Sequence, residues 1–357
     1  MMNEKETIIL KYLDKEGVDI VYSQRGEMRV QHKDSGKKGS LRQRCKEVLP
    51  VIEISWDGEE NKEYFIKRQN PYLYFFVGTS KEISDENLLL VSLVDGLGNQ
   101  MCQYAFGVFL SKLGKNVKID PRWYRQSNSY RKELLSSFEL LNSVPFCSKT
   151  ESSIFKSVKE EGNKDKFNYD TDWKNFNYEL NLFGYWQDYQ YVKGNEKDLQ
   201  RAFKLKKPLT DENLQILDKI LSTNSVMIHI RRGDYFKYPE RYSILDKDYY
   251  LKAISIIKDK VDNPYFFCFG EDQEWIKNNL ILNDNEYTCV SNNLSKEEDC
   301  VFDLELMKNC KHQIIANSTF SWWSAILNEN KEKIIISPKN WGDSFVKTIN
   351  NEEWITI

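Results

Sequence analysis

A near-continuous apolar run from Leu88 to Val94 breaks into Asp95-Gly96-Leu97-Gly98-Asn99-Gln100, after which apolar residues recur at Met101, Tyr104, Ala105 and Val108. The first segment reads as a strand buried on both faces, and the second has the spacing of a helix. A strand that turns through glycines directly into a helix commits a chain to α/β architecture, because a helical crossover is how parallel strands are joined. The pattern continues at Val117 to Ile119 and Leu182 to Trp186, both read as strands. It resumes beyond a helix at Asp211 to Leu221, with strands at Val226 to Ile230, Tyr265 to Phe269, Gln313 to Ala316 and Ile334 to Ile336. Helices are expected between them at Lys247 to Lys260, Phe302 to Cys310 and Ser318 to Leu327. The expected class is α/β with two Rossmann-like parallel-sheet halves.

The first 87 residues follow another rule. A short helical start, Thr7 to Asp14, precedes strand-like runs at Val18–Tyr22, Met28–Gln31, Val51–Trp56, Tyr64–Arg68 and Tyr72–Val77, interrupted by the basic stretch Lys33 to Lys38. Three parts are expected: a strand-rich extension over 1–87, a Rossmann-like domain over 88–205 and a second over 206–357, with Gly194 to Leu209 as linker.

Charge narrows the partners. Across 357 residues, 51 Lys and Arg face 54 Asp and Glu, a formal charge of −3. Bulk basicity is therefore not available to hold nucleic acid, and an anionic ligand must meet a local cluster of cations. The opening Met1 to Glu6 is too charged for a secretory signal, and no run approaches the roughly 18 apolar residues that span a bilayer. A cytoplasmic location is expected. The seven cysteines are odd in number and lack CxxC spacing, so reduced, mostly buried thiols are expected. The three histidines, His32, His229 and His312, never stand i,i+4, so no histidine zinc site is expected.

Three motifs carry chemistry. Gly96-Leu97-Gly98-Asn99-Gln100 lets backbone approach a ligand at a helix N-terminus, although Met101 breaks the dinucleotide fingerprint. His229-Ile230-Arg231-Arg232-Gly233-Asp234-Tyr235 sits at the carboxyl end of a strand, where open α/β sheets bind ligands. Its guanidinium groups suit a diphosphate, and one arginine is expected to be structural while the other is chemical. Asn317-Ser318-Thr319-Phe320-Ser321-Trp322-Trp323 joins a strand to a helix through hydroxyl residues that can cap the helix or hold phosphate. Trp322 and Trp323 are expected to pack. Two DxD triplets, Asp170-Thr171-Asp172 and Asp246-Lys247-Asp248, offer paired carboxylates for a divalent ion; the second also suits a helix start.

With residues 96–105, Gly184-Tyr185-Trp186-Gln187, 229–235 and 310–323 in this order, the chain from about Leu88 to Trp341 resembles the bacterial α-1,2-fucosyltransferases. The resemblance implies a GT-B-like architecture. It also implies inverting, metal-independent and cofactor-free transfer of L-fucose from GDP-β-L-fucose to the 2-hydroxyl of a galactose-terminated oligosaccharide. Arg231, Arg232, Asp234 and Asn99 become the catalytic candidates. His229, Arg231, His312, Asn317, Ser318, Thr319, Gly98 and Gln100 become donor contacts, with Arg231 on the β-phosphate. Tyr185, Trp186 and Gln187 border the acceptor. A lipid-linked acceptor of O-antigen or capsule type would place the enzyme peripherally at the inner membrane face. Departures are the added residues 1–87, Asp95 where glycine is usual and Cys102 where an aromatic is usual.

Charge also shapes the expected mechanism. Bond cleavage builds negative charge on the diphosphate, which cations stabilise without a general acid; one such preorganised donor is worth roughly 3 kcal/mol. Inversion takes a single displacement. Asp234 and then Glu240 are candidate bases for the acceptor hydroxyl, but the arginines beside Asp234 depress its basicity. An α-1,6-type fucosyltransferase, a metal-dependent transferase using a DxD pair and a non-catalytic glycan-binding module stay open as alternatives.

Overall fold

The computed structural model describes residues 18–24, 27–43, 51–59, 62–67, 74–79, 88–125, 131–148, 151–152, 156–159, 180–233, 243–341, 349 and 351–357. The expected helix at Thr7 to Asp14 lies outside them. The α/β class and the strand-rich N-terminal segment are both present.

Strands β1 (Val18–Gln24), β2 (Glu27–His32), β3 (Lys38–Gln43), β4 (Val51–Trp56), β5 (Lys62–Lys67) and β6 (Tyr74–Thr79) form an antiparallel sheet in sequence order. The basic stretch read as an interruption is the tight β2–β3 turn, closed by a 2.8 Å hydrogen bond from His32 N to Lys37 O. β3 was missed because its sequence, Lys-Gly-Ser-Leu-Arg-Gln, has little strand character of its own. Pairing on both sides makes it a strand, which is how tertiary context overrides propensity. Val30, Leu41, Ile54 and Trp56 are buried. Gly39 is required there, since a Cβ would lie 2.5 Å from Ser55 O and 3.0 Å from the Trp56 ring.

The next sheet has strand order β8-β7-β10-β9, built from β7 (Leu88–Ser92), β8 (Asn116–Asp120), β9 (Lys156–Lys159) and β10 (Leu180–Phe183). Helix α1 (Leu97–Lys112) joins β7 to β8. The strand expected over Leu182 to Trp186 ends at Phe183, and Trp186 turns the chain at φ 52°. The Gly194 to Leu209 linker is also corrected. Residues Glu196–Ala202 form helix α2, and Leu199, Ala202 and Phe203 are buried. Phe203 sits edge-on to Tyr104, Phe138 and Trp323.

After helix α3 (Asp211–Ser222) comes a six-stranded parallel sheet: β11 (Asn224–His229), β12 (Pro264–Phe269), β13 (Tyr287–Val290), β14 (His312–Ile314), β15 (Ile335–Ser337) and β16 (Ile355–Thr356). Its order, β13-β12-β11-β14-β15-β16, is the doubly wound 3-2-1-4-5-6 arrangement. Helices α4 (Lys247–Lys260), α5 (Gln273–Asn279), α6 (Cys300–Asn309) and α7 (Thr319–Leu327) connect β11 through β15 in turn. Alternation places Val226, Ile228 and Ile230 of one face against Tyr250, Ala253 and Ile257 of α4. The strand order reverses between β11 and β14, so the ligand crevice of such a sheet opens beyond their carboxyl ends. Among the described residues, no helix is long and apolar enough to cross a membrane.

The chain divides into two compact units, 1–90 with 146–158 and 175–182, and 91–145 with 159–174 and 183–357. The three motifs fall in the second.

Candidate active site

The first motif is built on Asp95, whose φ of 67° lies in the region glycine favours. Aspartate holds this conformation by bonding locally. Its Oδ1 accepts from Gly96 N at 2.9 Å, and its Oδ2 accepts from Asn99 Nδ2 at 3.2 Å. The Asp95 carbonyl accepts from Gln100 Nε2 and from Tyr124 OH at 2.6 Å. Gly96 is the N-cap of α1 and brings no capping side chain.

Gly98 is glycine because another helix starts against it. A Cβ there would lie 2.5 Å from Thr319 Oγ1 and 2.6 Å from Phe320 N, in the first turn of α7. Trp323 Nε1 donates to Gly98 O at 3.0 Å and lies 3.3 Å from Cys102 Sγ. The small Cys102 side chain leaves room for that buried indole, so Trp322 and Trp323 pack as expected. The N-termini of α1 and α7 therefore meet. Each carries roughly half a positive charge and unpaired N–H groups, and their juxtaposition favours an anion.

The second motif stands beside them. His229 ends β11, is 5% exposed, and faces Phe320 of α7 with ring centroids 5.8 Å apart. Its Nδ1 has no partner among the described residues. Burial first, and Arg231 second, push its pKa down to about 3, so the imidazole is neutral near pH 7. Arg231 Nη1 is 3.5 Å from Glu271 Oε1, a carboxylate that is 60% exposed. Arg232 is held differently: its Nε is 3.4 Å from Asp272 Oδ2 and its guanidinium stacks 4.4 Å over the Trp275 ring. A side chain at Gly233 would run into the Glu271 carboxylate.

The first and third motifs interlock through Asn99, which also holds the Gln187 turn. Its Oδ1 accepts from Gln187 Nε2 at 2.8 Å and from Thr319 Oγ1 at 3.1 Å. The turn carrying Gln187 is also pinned by Gln103, whose Nε2 donates to Gly184 O at 2.9 Å. Tyr185 is 38% exposed beside it. Ser318 is the N-cap of α7, and Asn317 Nδ2 donates to Ser243 O at 2.6 Å.

Three expected site residues are placed elsewhere. Gln100 is fully buried; its Nε2 donates to the Asp95 and Lys132 carbonyls and its Oε1 accepts from Leu134 N, so it clamps backbone rather than meeting a nucleotide. His312 starts β14 opposite Val226, at the amino end of the sheet, with its Nδ1 accepting from Ile334 N at 3.1 Å. Trp186, expected to border the acceptor, is buried and stacked on Phe106 at 4.1 Å, with its ring in the core. Asp246 caps α4, its side chain accepting from Tyr249 N. Asp234, Glu240, Asp170 and Asp172 lie outside the described residues. Sequence reasoning missed Glu271, Asp272 and Trp275, the partners of the two arginines. The signal was Gly270-Glu271-Asp272 closing the apolar strand Tyr265–Phe269, two acids at another carboxyl end.

The glycosyl transferase family 11 model matches residues 66–357. The O-antigen biosynthesis glycosyltransferase WbnK of Escherichia coli is 31% identical over 305 residues, 74% of this chain and 99% of WbnK. The alpha-1,2-colitosyltransferase of Escherichia coli is 30% identical over 301 residues, 76% of this chain and 99% of that protein. Among solved structures, the fucosyltransferase NodZ from Bradyrhizobium aligns at 13% identity with a TM-score of 0.44, covering 68% of this chain and 94% of NodZ.

Proposed function

Because this chain belongs to glycosyl transferase family 11, we propose that it moves L-fucose from GDP-β-L-fucose to the 2-hydroxyl of a β-galactosyl unit in an O-antigen- or capsule-type glycan, with inversion and without a metal. The observation that carries the reading is the meeting of two helix N-termini, with Gly98 against Thr319, and the packing of His229, two residues before Arg231, on Phe320 of α7. Electropositive N–H groups and a guanidinium together match a diphosphate. The neutral His229 adds a hydrogen-bonding edge without another charge.

Departure of GDP places negative charge where the α7 N-terminus and Arg231 stabilise it, and positive charge develops on the fucosyl ring. Arg231 acts on the leaving group, Arg232 holds the turn through Trp275, and Asn99 with Gln187 lines the acceptor side. One displacement inverts the anomeric centre, so no protein nucleophile takes part. The relatives acting in O-antigen synthesis and in alpha-1,2-colitosyl transfer support the glycan class and the linkage. We place the chain at the cytoplasmic face of the membrane, acting on a lipid-linked acceptor.

The test is incubation of the purified chain with GDP-fucose and a panel of β-galactosides including lactose, with and without EDTA, read by mass spectrometry. Addition of one deoxyhexose despite EDTA, assigned by NMR to galactose O2, is the expected result. Transfer lost with EDTA overturns metal independence. Absence of both transfer and calorimetric GDP binding overturns the donor assignment.

A further inference from the structure

Asn99 has a property that its place among the catalytic candidates does not explain: its polar atoms are engaged by protein. The orientation of its amide is fixed. Asp95 Oδ2 only accepts, so Nδ2 points to it, and Oδ1 points to Gln187 Nε2 and Thr319 Oγ1. The Thr319 hydroxyl therefore donates its single proton to Asn99. Thr319 is the first residue of α7, at the helix end proposed to hold the donor's diphosphate. A hydroxyl that has given its proton to Asn99 presents only lone pairs to an arriving anion, and lone pairs repel phosphate oxygen.

We infer that Asn99 is a positioning residue that competes with the donor for the Thr319 proton. On binding, the diphosphate draws that proton away from Asn99 Oδ1, forming a charge-assisted hydrogen bond in place of a neutral one. The exchange leaves one lone pair of Asn99 Oδ1 open beside the Gln187 turn, and an incoming sugar hydroxyl is the donor that fits it. Asn99 thereby links donor binding to the acceptor side through a single oxygen. The inference rests on the donor site proposed above.

The competition gives a sign that a scaffold role does not. Removing the competing acceptor, Asn99→Ala, tightens GDP binding about threefold or more, the scale of one neutral hydrogen bond. Thr319→Val, which keeps the shape and loses the proton, weakens GDP binding about tenfold, and Thr319→Ser restores it. In the double variant, Asn99→Ala gives no gain over Thr319→Val. Meanwhile kcat for transfer falls in Asn99→Ala even as GDP binds better. The measurement is isothermal titration calorimetry of GDP into each full-length variant, with thermal melts as fold control and Asn99→Ser as a second variant should the alanine chain not fold. Weaker GDP binding in the folded Asn99 variants overturns the competition and makes Asn99 a scaffold only. A wild-type chain that binds no GDP overturns the proposed function, and the inference with it.

Discussion

Arg231 and Arg232 are chemically identical, and their surroundings separate their roles. Arg232 is stacked on Trp275 and paired with Asp272, so its loss removes packing as well as charge. Arg231 faces a mostly exposed carboxylate, which contributes little to stability. Arg231→Ala is expected to cut transfer at least a hundredfold with a smaller change in melting temperature than Arg232→Ala gives. Arg232→Ala is expected to lower the melting temperature by a few degrees; equal melting of the two variants would contradict this division. Two buried titratable groups respond to acid with opposite signs. His229 is held neutral, its pKa pushed from 6.5 to about 3 by burial, so below pH 6.5 the unfolded chain takes a proton the folded chain refuses. Stability from His229 is thus lost as pH falls from 6.5 toward 3. Burial raises Asp303 from 3.8 to about 6, against a 2.7 Å hydrogen bond from Asn293 Nδ2. Its buried charge costs stability above pH 6, and that cost disappears as pH falls from 6 toward 4. In urea unfolding, the stability of Asp303→Asn relative to wild type should therefore rise by about 2 kcal/mol between pH 4 and pH 7. A difference that is flat with pH would show that Asp303 does not titrate in that range.

At the scale of elements, the candidate site lies where α1 meets α7, and Gly98 sets how closely they approach. Gly98→Ala puts a methyl group on the backbone of Thr319 and Phe320, which yields only if a helix moves. The expected cost is about 1–3 kcal/mol, together with weaker GDP binding. Unchanged denaturation and GDP affinity in that variant would show that the contact is slack. The elements at this junction were legible in the sequence because local signals agree there: apolar strands, glycine or hydroxyl turns, then helical spacing. α2 was not legible, since Glu196, Lys197, Asp198 and Arg201 dominate its seven residues and hide the buried Leu199, Ala202 and Phe203. The two histidines show the same limit within the site. Both belong to matching motifs, but strand register places His312 beside Val226, three residues below His229 on β11. Register is a tertiary property that neither motif encodes. Gln100 likewise looks like a ligand residue from its neighbours, and only the Leu134 and Lys132 backbone shows what consumes its amide.

At the scale of the molecule, the family likeness covers most of the chain but not its first 65 residues. The family match starts at residue 66, within β5, and the described site residues run from Asp95 to Thr319. All of these belong to the compact unit made of 91–145, 159–174 and 183–357. The sheet β1 to β6 pairs strictly with its sequence neighbours and buries Val30, Leu41, Ile54 and Trp56. Hairpin-by-hairpin pairing of this kind closes short loops and supplies its own backbone hydrogen bonds. The described site residues all lie outside this sheet. Removal of residues 1–87 should then leave GDP affinity within about threefold of the full chain, since less than one neutral hydrogen bond's worth of binding is at stake. Calorimetry of GDP binding to the shortened chain, alongside a thermal melt, makes the comparison. A shortened chain that melts cooperatively but binds GDP tenfold more weakly would show that the N-terminal sheet shapes the donor site. One that no longer melts cooperatively would show that the sheet is part of the core on which the α1–α7 junction depends.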